Sequence, residues 1–191
     1  ETMHMLSLAY ENVNQAFDQL LQFSDKTDEQ IYKREDTVNY LDKVISEYIS
    51  TALATPNLNV NISQALSSYY LMLVDIERIS DYAVNMNHQA TKRLQGDMTI
   101  SEIEIIEHMK KLCEDMKNDL DDVEEAERKD DVIDSLVSSW REAQIQALKQ
   151  KKCSSEVSMM LSRIFTDFER INDHALNVSQ ELDKITVEIP D

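Results

Sequence analysis

Apolar residues recur three and four positions apart along most of this chain, which is the spacing of one helix face. In the first segment they are Leu6, Tyr10, Val13, Phe17, Leu20 and Leu21. Five further segments repeat the spacing, and the only strand-like stretch, Thr186–Ile189, is too short to count as one. The pattern predicts six helices, over about Met3–Phe23, Thr27 to near Pro56, Ile62–Leu94, onward from Thr99, Asp122 to Lys151, and Glu156–Ile185.

Start and stop signals for these helices are present in the sequence. A Thr, Asn or Asp followed three residues later by Glu or Gln is the pattern of a helix N-terminus. Four such pairs precede apolar segments: Thr27 with Gln30, Asn61 with Gln64, Thr99 with Glu102, and Asp122 with Glu125. Gly96, the one glycine of the chain, is predicted to be a left-handed cap that ends the third helix. With two prolines besides, the chain has little other turn chemistry, which favours long helices.

Two stretches of the chain are nearly the same. Asp75–Asn85 has the sequence D-I-E-R-I-S-D-Y-A-V-N, and Asp167–Asn177 has D-F-E-R-I-N-D-H-A-L-N, so seven of eleven positions are identical at an offset of 92 residues. A weaker repeat, at an offset of 95, relates Lys33–Ile45 to Arg128–Trp140. We therefore predict an all-α fold of six helices, built as a tandem repeat of two three-helix bundles, residues 1–96 and 97–191.

Acidic and amide side chains recur one helical turn apart in both halves. Residues four apart on a helix lie on one stripe, where two carboxylates repel each other by a few tenths of a kcal/mol. The pairs are Glu35 with Asn39, Glu77 with Asp81, Asp130 with Asp134, and Glu169 with Asp173. Two facing helices could bring such pairs to one point, and a multivalent cation would relieve the repulsion. Oxygen ligands suit Mg, Ca, Mn, Fe or Zn, and the spacing does not distinguish among these divalent or trivalent ions.

Chance is the alternative explanation for these pairs, because the chain has 37 acidic residues and many acid pairs arise on solvated helix faces. One pair alone would be explained in this way. The recurrence of four pairs, in register in both halves, favours a metal site. Asn39 offers a dipole where Asp134 offers a full charge, so the second half is expected to bind a cation more tightly than the first.

Charge and cysteine spacing narrow the class of function. A formal net charge of −18 argues against nucleic acid, whose phosphates need Lys and Arg partners, and is compatible with cations or a basic partner. The longest apolar run, Tyr69–Val74, is too short to span a bilayer, so no transmembrane segment is predicted. Cys113 and Cys153 have no metal or redox spacing and are interpreted as reduced thiols in a cytoplasmic protein.

The doubled stretch resembles the repeated signature of the PhoU family. The resemblance lies in E-R-I-S-D-Y-A-V-N at Glu77–Asn85, in E-R-I-N-D-H-A-L-N at Glu169–Asn177, and in the preceding pairs at Glu35–Asn39 and Asp130–Asp134. It implies a cytosolic helical protein that binds metal clusters through these pairs and regulates phosphate uptake. The implied partners are a membrane transporter or phosphate-signalling proteins, and a homodimer is compatible with it. Asn39 departs from the family pattern, which usually has an acid there, and Ser80 and Asn172 stand where it usually has Gly.

Two finer features are similar to the PhoU domain that follows the membrane part of bacterial sodium–phosphate cotransporters. They are R-E-D-T-V-N-Y-L at Arg34–Leu41 and K-C-S-S-E at Lys152–Glu156, and a chain that starts at Glu1 fits an excised domain. Our leading hypothesis is therefore a metal-binding cytosolic regulatory domain of a sodium-dependent phosphate transporter, tethered to the cytoplasmic face of the membrane. The alternative is a free-standing PhoU-type regulator of phosphate transport and signalling.

An enzyme is a third hypothesis, because a carboxylate-bridged dimetal site can activate water or oxygen. Helical dimetal enzymes use Glu-x-x-His pairs on inward-facing helices. The one such pair here is Glu1 with His4, at the chain terminus, and the sequence has no Ser/His/Asp set and no glycine-rich phosphate loop. We expect the protein not to be an enzyme.

Overall fold

The computed structural model describes residues 1–91 and 98–188, without the side chains of 186–188. The described residues form six α-helices and no strand, as predicted, and the strand-like stretch is helical as far as Glu188. No helix in these ranges has the length and apolar character needed to cross a membrane. The helices are α1 (Thr2–Leu21), α2 (Asp25–Leu53), α3 (Val60–Thr91), α4 (Ile100–Asn118), α5 (Val123–Lys149) and α6 (Ser155–Glu188).

Two of the four predicted helix starts are confirmed. Thr99 Oγ1 accepts a hydrogen bond from the Glu102 backbone N–H at 3.4 Å, and the Thr99 N–H donates to Glu102 Oε2 at 2.6 Å. Asp122 Oδ1 accepts from the Glu125 N–H at 3.1 Å. Both side chains satisfy N–H groups that have no partner within the helix.

The starts predicted at Thr27 and Asn61 are wrong. Gln19 fixes the turn before α2, since its side chain accepts from the Ser24 N–H at 2.7 Å and donates to the Ser24 carbonyl at 3.0 Å. The helix can therefore begin directly at Asp25. At α3 it is Asn59 whose side chain accepts a backbone N–H, that of Asn61, at 2.8 Å. The cap predicted at Gly96 and the predicted boundary between residues 96 and 97 lie outside the described residues.

Each half of the chain forms a three-helix bundle. In the first half α1 and α3 run parallel, because Asn12 Nδ2 lies 3.0 Å from Ser80 Oγ and Gln19 Nε2 lies 3.3 Å from Asn87 Oδ1. α2 runs in the opposite direction and packs against both of them. α4, α5 and α6 repeat the arrangement.

The two bundles share one hydrophobic core. α3 packs against α6 along much of its length, and α1 packs against α4. The rings of Phe17 and Phe168, both fully buried, meet edge to face across this junction with centroids 6.4 Å apart. Neither half buries its apolar face alone, so the fold is a pair of fused bundles.

Equivalent positions of the repeat meet where α3 packs against α6. Tyr82 and His174 occupy equivalent positions of the repeat, and their rings stack with centroids 5.7 Å apart. His174 Nδ1 also lies 2.7 Å from Asp75 Oδ1, which accepts a second hydrogen bond from Asn177 Nδ2 at 3.0 Å.

Candidate functional site

The acid pairs of α2 and α3 come together in the first bundle. Burial raises the pKa of Glu35 most, the Ser80 hydrogen bond opposes this, and the charge of Asp81 raises it further. Burial likewise raises the pKa of Glu77 most, and the charge of Asp81 raises it further. The charge of Arg78 lowers this pKa, while the charges of Asp42 and Glu35 raise it by smaller amounts. These carboxylates therefore lie close enough to disfavour one another's charged forms. We call Glu35, Asn39, Asp42, Glu77 and Asp81 the first cluster.

Glu35 is the most deeply placed member of the first cluster, with 8% of its surface exposed. The Ser80 hydroxyl donates to its Oε2. Ser80 in turn accepts from Asn12 Nδ2, whose Oδ1 accepts from Arg34 Nη1 at 2.7 Å. This series of hydrogen bonds orients the carboxylate. Its second oxygen, Oε1, is buried without a hydrogen-bond partner.

Burial of the neighbouring apolar residues explains why these polar side chains face one another. Val38 on α2 and Ile76 and Ile79 on α3 are fully buried, and they fix the rotation of the two helices about their axes. With that rotation fixed, residues one turn apart on each helix lie along the seam between α2 and α3. The acid stripes of both helices therefore face the same seam.

In the second bundle the structure brings together Asp130 and Asp134 of α5 with Asp173 of α6. Burial, followed by the charges of Asp134 and Asp173, raises the pKa of Asp130 from 3.8 to about 6. Asp130 Oδ1 is buried without a hydrogen-bond partner, like Glu35 Oε1 in the first half. With Glu169 these residues form the second cluster: Asp130, Asp134, Glu169 and Asp173.

Glu169 differs from its equivalent in the first half because it has a close cationic partner. Arg141 Nη2 lies 2.6 Å from Glu169 Oε2, and the same nitrogen donates to Thr166 Oγ1 at 3.1 Å. The guanidinium carbon also lies 5.7 Å from the centroid of the Phe165 ring. Glu169 is thus drawn into an ion pair, while Asp130, Asp134 and Asp173 remain grouped together.

The ligand atoms of the two clusters suit a hard cation, but their present positions do not form a complete metal site. Within residues 1–91 and 98–188, no three or more His, Cys, Asp or Glu side chains are arranged to hold a metal ion. Each cluster nevertheless has carboxylates from two helices and one buried carboxylate oxygen without a partner. Carboxylate oxygens are the ligands that Mg²⁺, Ca²⁺ and Mn²⁺ prefer, so a cation could draw them together.

Three residues that belong to or contact these clusters were not predicted as site residues from the sequence, namely Asp42, Ser80 and Arg141. Asp42 follows Glu35 by seven positions and so continues the same stripe. Arg141 follows Asp134 by seven positions on α5 in the same way. Carrying the comparison of the two halves one residue past Ile45 would have indicated Arg141, which aligns with Ser46, whereas Asp42 aligns with Val137 inside the stretch already compared. Ser80 gave no such signal, because its role depends on contacts with α1 and α2.

The fold and the clusters define a class of all-α proteins, in which two fused three-helix bundles carry acidic groups at equivalent places. The chain matches the family model of the PhoU domain over residues 2–90 and 103–182, and it belongs to this family. The two matched segments correspond to the two bundles. The resemblance found in the sequence is thereby confirmed at the level of the family.

Individual relatives agree with the family assignment. The chain is 23% identical to the phosphate-specific transport system accessory protein PhoU homolog 1 of Thermotoga maritima, over 93% of this chain and 81% of the relative. The crystal structure of PhoU from Pseudomonas aeruginosa superposes with a TM-score of 0.86 at 18% identity, over 98% of this chain and 94% of the other. The phosphate transport system regulatory protein PhoU from Streptococcus pneumoniae superposes with a TM-score of 0.83 at 20% identity. The superposition covers 100% of this chain and 94% of the other. The two structures share the fold.

Proposed function

We propose that this protein is a PhoU-type regulator of phosphate transport that acts as an accessory to a separate transport system. The observation that carries the proposal is the match of both bundles to the PhoU domain. The relatives named above are an accessory protein and a regulatory protein by their descriptions, and the matches extend over 81% and 94% of their lengths. These descriptions support the free-standing hypothesis more than the cotransporter-domain hypothesis. The cotransporter-domain hypothesis is still supported by the sequence similarity of Arg34–Leu41 and Lys152–Glu156.

The proposed role is regulatory, with a metal cation as its cofactor and a transporter or phosphate-signalling protein as its partner. The candidate ligands are those expected from the sequence: Glu35, Asn39, Glu77, Asp81, Asp130, Asp134, Glu169 and Asp173. The buried, unpartnered oxygens of Glu35 and Asp130 support this proposal, because a buried carboxylate oxygen without a partner is costly unless something binds it. A bound cation would supply charge neutralisation, and the helices would hold its ligands.

Phosphate uptake in the source organism tests the regulatory role. Deleting the coding sequence should change the rate of radiolabelled phosphate uptake in phosphate-rich medium, and re-expression of the wild-type chain should restore it. The variant Glu35→Gln/Asp81→Asn, which removes two candidate ligands, should restore uptake less well than the control Glu142→Gln, an exposed acid of α5. Unchanged uptake after deletion would contradict the proposal.

The size of the native polypeptide separates the two hypotheses. An antibody raised against the chain should detect a product of the size of one PhoU-type regulator, outside the membrane fraction, if the regulator is free-standing. A much larger product in the membrane fraction would favour the cotransporter domain instead.

A further inference from the structure

We propose that the two clusters differ as cation sites: a metal cation binds the first cluster, whereas in the second the guanidinium of Arg141 occupies the Glu169 carboxylate and removes it as a metal ligand. This inference rests on the proposed cation binding and assigns it to one half of the molecule. It reverses the order of cation affinity expected from the sequence, which ranked the first half below the second because Asn39 has no charge.

The first cluster has four carboxylates, and the arginine that pairs with them, Arg78, is weakly held. Arg78 lies 3.6 Å from Glu77 and 3.2 Å from Asp81, but 52% of its side chain is exposed. Exposed ion pairs of this kind contribute about 0–1 kcal/mol, so a multivalent cation could displace Arg78 at little cost. Asp42, half-buried on α2, adds a carboxylate at the position where α5 has the buried Val137.

Glu35 gives the first cluster a fixed ligand. The carboxylate is more than nine-tenths buried, its Oε2 is held by Ser80, and its Oε1 is buried without a hydrogen-bond partner. A ligand that is already oriented loses little conformational freedom when a metal binds. The first cluster therefore provides one oriented carboxylate, that of Glu35, and three further carboxylates, those of Asp42, Glu77 and Asp81.

The second cluster already contains an anchored cation. Arg141 is 32% exposed, less than Arg78, and it has four contacts: Glu169, Thr166 Oγ1, the Ser162 carbonyl at 3.4 Å, and the Phe165 ring. A planar guanidinium held at several points is harder to displace than an exposed arginine. Arg170, 3.1 Å from Asp173, is 57% exposed and is the counterpart of Arg78, so it does not distinguish the two clusters. A metal ion would have to bind beside the Arg141 charge and without the Glu169 carboxylate.

Mn²⁺ binding to the purified chain tests the inference. Free Mn²⁺ is followed by electron paramagnetic resonance during titration, and bound Mn²⁺ is measured by elemental analysis after dialysis. Glu77→Gln/Asp81→Asn should weaken binding by about tenfold or more, whereas Glu169→Gln/Asp173→Asn should leave the affinity within about twofold of wild type. A larger loss in the second double variant would overturn the inference and leave cation binding itself intact. If the wild type binds no Mn²⁺, both the inference and the proposed cation site fail.

Substitution of Arg141 gives a second, independent measurement. Arg141→Gln should create an additional class of bound Mn²⁺, which Glu169→Gln should remove again. Arg141→Lys keeps the positive charge and should not create that class, so it is the matched control. Circular dichroism establishes that each variant retains its helices. Absence of extra Mn²⁺ in a folded Arg141→Gln variant would show that Arg141 does not take the place of a metal.

Discussion

The two acid clusters share a repeated sequence and differ in what surrounds it. In the first, the hydrogen bonds from Arg34 through Asn12 and Ser80 end on Glu35. In the second, Asn172 stands where Ser80 would be and donates to the Phe168 carbonyl at 2.8 Å. Asp130 is therefore not held as Glu35 is. The repeat decides which acids share a stripe, and the non-repeated residues decide how rigid and how negative each cluster is.

The clusters also differ in where their positive charge comes from. Arg78 and Arg170 occupy equivalent positions and pair with equivalent acids, Asp81 and Asp173. Arg141 has Ser46 as its first-half counterpart, and Ser46 donates a 3.4 Å hydrogen bond to Asp42. Arginine in place of serine on one helix face thus adds to the electrostatic difference between the two clusters. Sequence identity within a repeat does not guarantee equal affinity for a ligand.

Breaking the hydrogen bonds behind the first cluster should have the largest effect on stability. Arg34, 15% exposed, donates to Asn12 and pairs with Glu11 at 3.0 Å. Arg34→Met would leave the buried Asn12 Oδ1 without its donor, so we expect the free energy of unfolding to fall by about 2 kcal/mol. Urea unfolding in the presence of chelator measures the change. The control Arg78→Met removes an exposed arginine and should change stability by about 0.5 kcal/mol or less. If Arg34→Met and Arg78→Met lost the same free energy of unfolding, the hydrogen bonds behind Glu35 would not make the first cluster more rigid.

The pH dependence of stability should report the poorly held Asp130. Because its pKa is raised from 3.8 to about 6, the folded state binds this proton more tightly than the unfolded state does. The contribution of the protonated group is full below pH 3.8 and is lost as the pH rises through about 6. Asp130→Asn should therefore be more stable than wild type at pH 7.5 by about 1 kcal/mol, a value reduced for partial solvent exposure, and the advantage should vanish near pH 4.

Thermal unfolding of metal-free protein at the two pH values measures this advantage. Glu142→Gln on the same helix controls for the loss of one negative charge from a strongly acidic chain. An Asp130→Asn variant that is less stable than wild type at pH 7.5 would show that Asp130 is a structural partner.

A smaller gain is expected from Asp134, which is exposed, and from Asp173, which is half-buried. Asp134→Asn or Asp173→Asn should stabilise the metal-free protein by a few tenths of a kcal/mol, because each removes one like-charge contact along a stripe. The melting temperature in chelator should rise by about 1–2 °C. For Asp173→Asn the gain is offset in part by the loss of the Arg170 pair, so Asp134→Asn should give the larger rise. A clearly lower melting temperature in either variant would mean that these acids stabilise the fold.

Local pattern predicted the six helices, two of their starts and the repeat, because a helix is built from contacts three and four residues apart. The helix starts expected at Thr27 and Asn61 were wrong. Before α2, the Gln19 side chain bonds to Ser24 across the turn, and at α3 the side chain of Asn59 is the cap. Sequence spacing also grouped the eight candidate ligands by helix. It gave no indication that Glu169 would pair with Arg141, because that contact joins two helices.

By itself, the sequence determined the helices, their tandem order and the acid stripes, all of which follow from the fixed period of the α-helix. Only the tertiary structure decided which carboxylate oxygens are buried, which are hydrogen-bonded and which meet an arginine. Those outcomes depend on how far each helix is rotated and shifted against its neighbours, which is set by the packing of the core shared by both halves. Glu35 and Asp130, at equivalent places in the repeat, therefore lie in different surroundings.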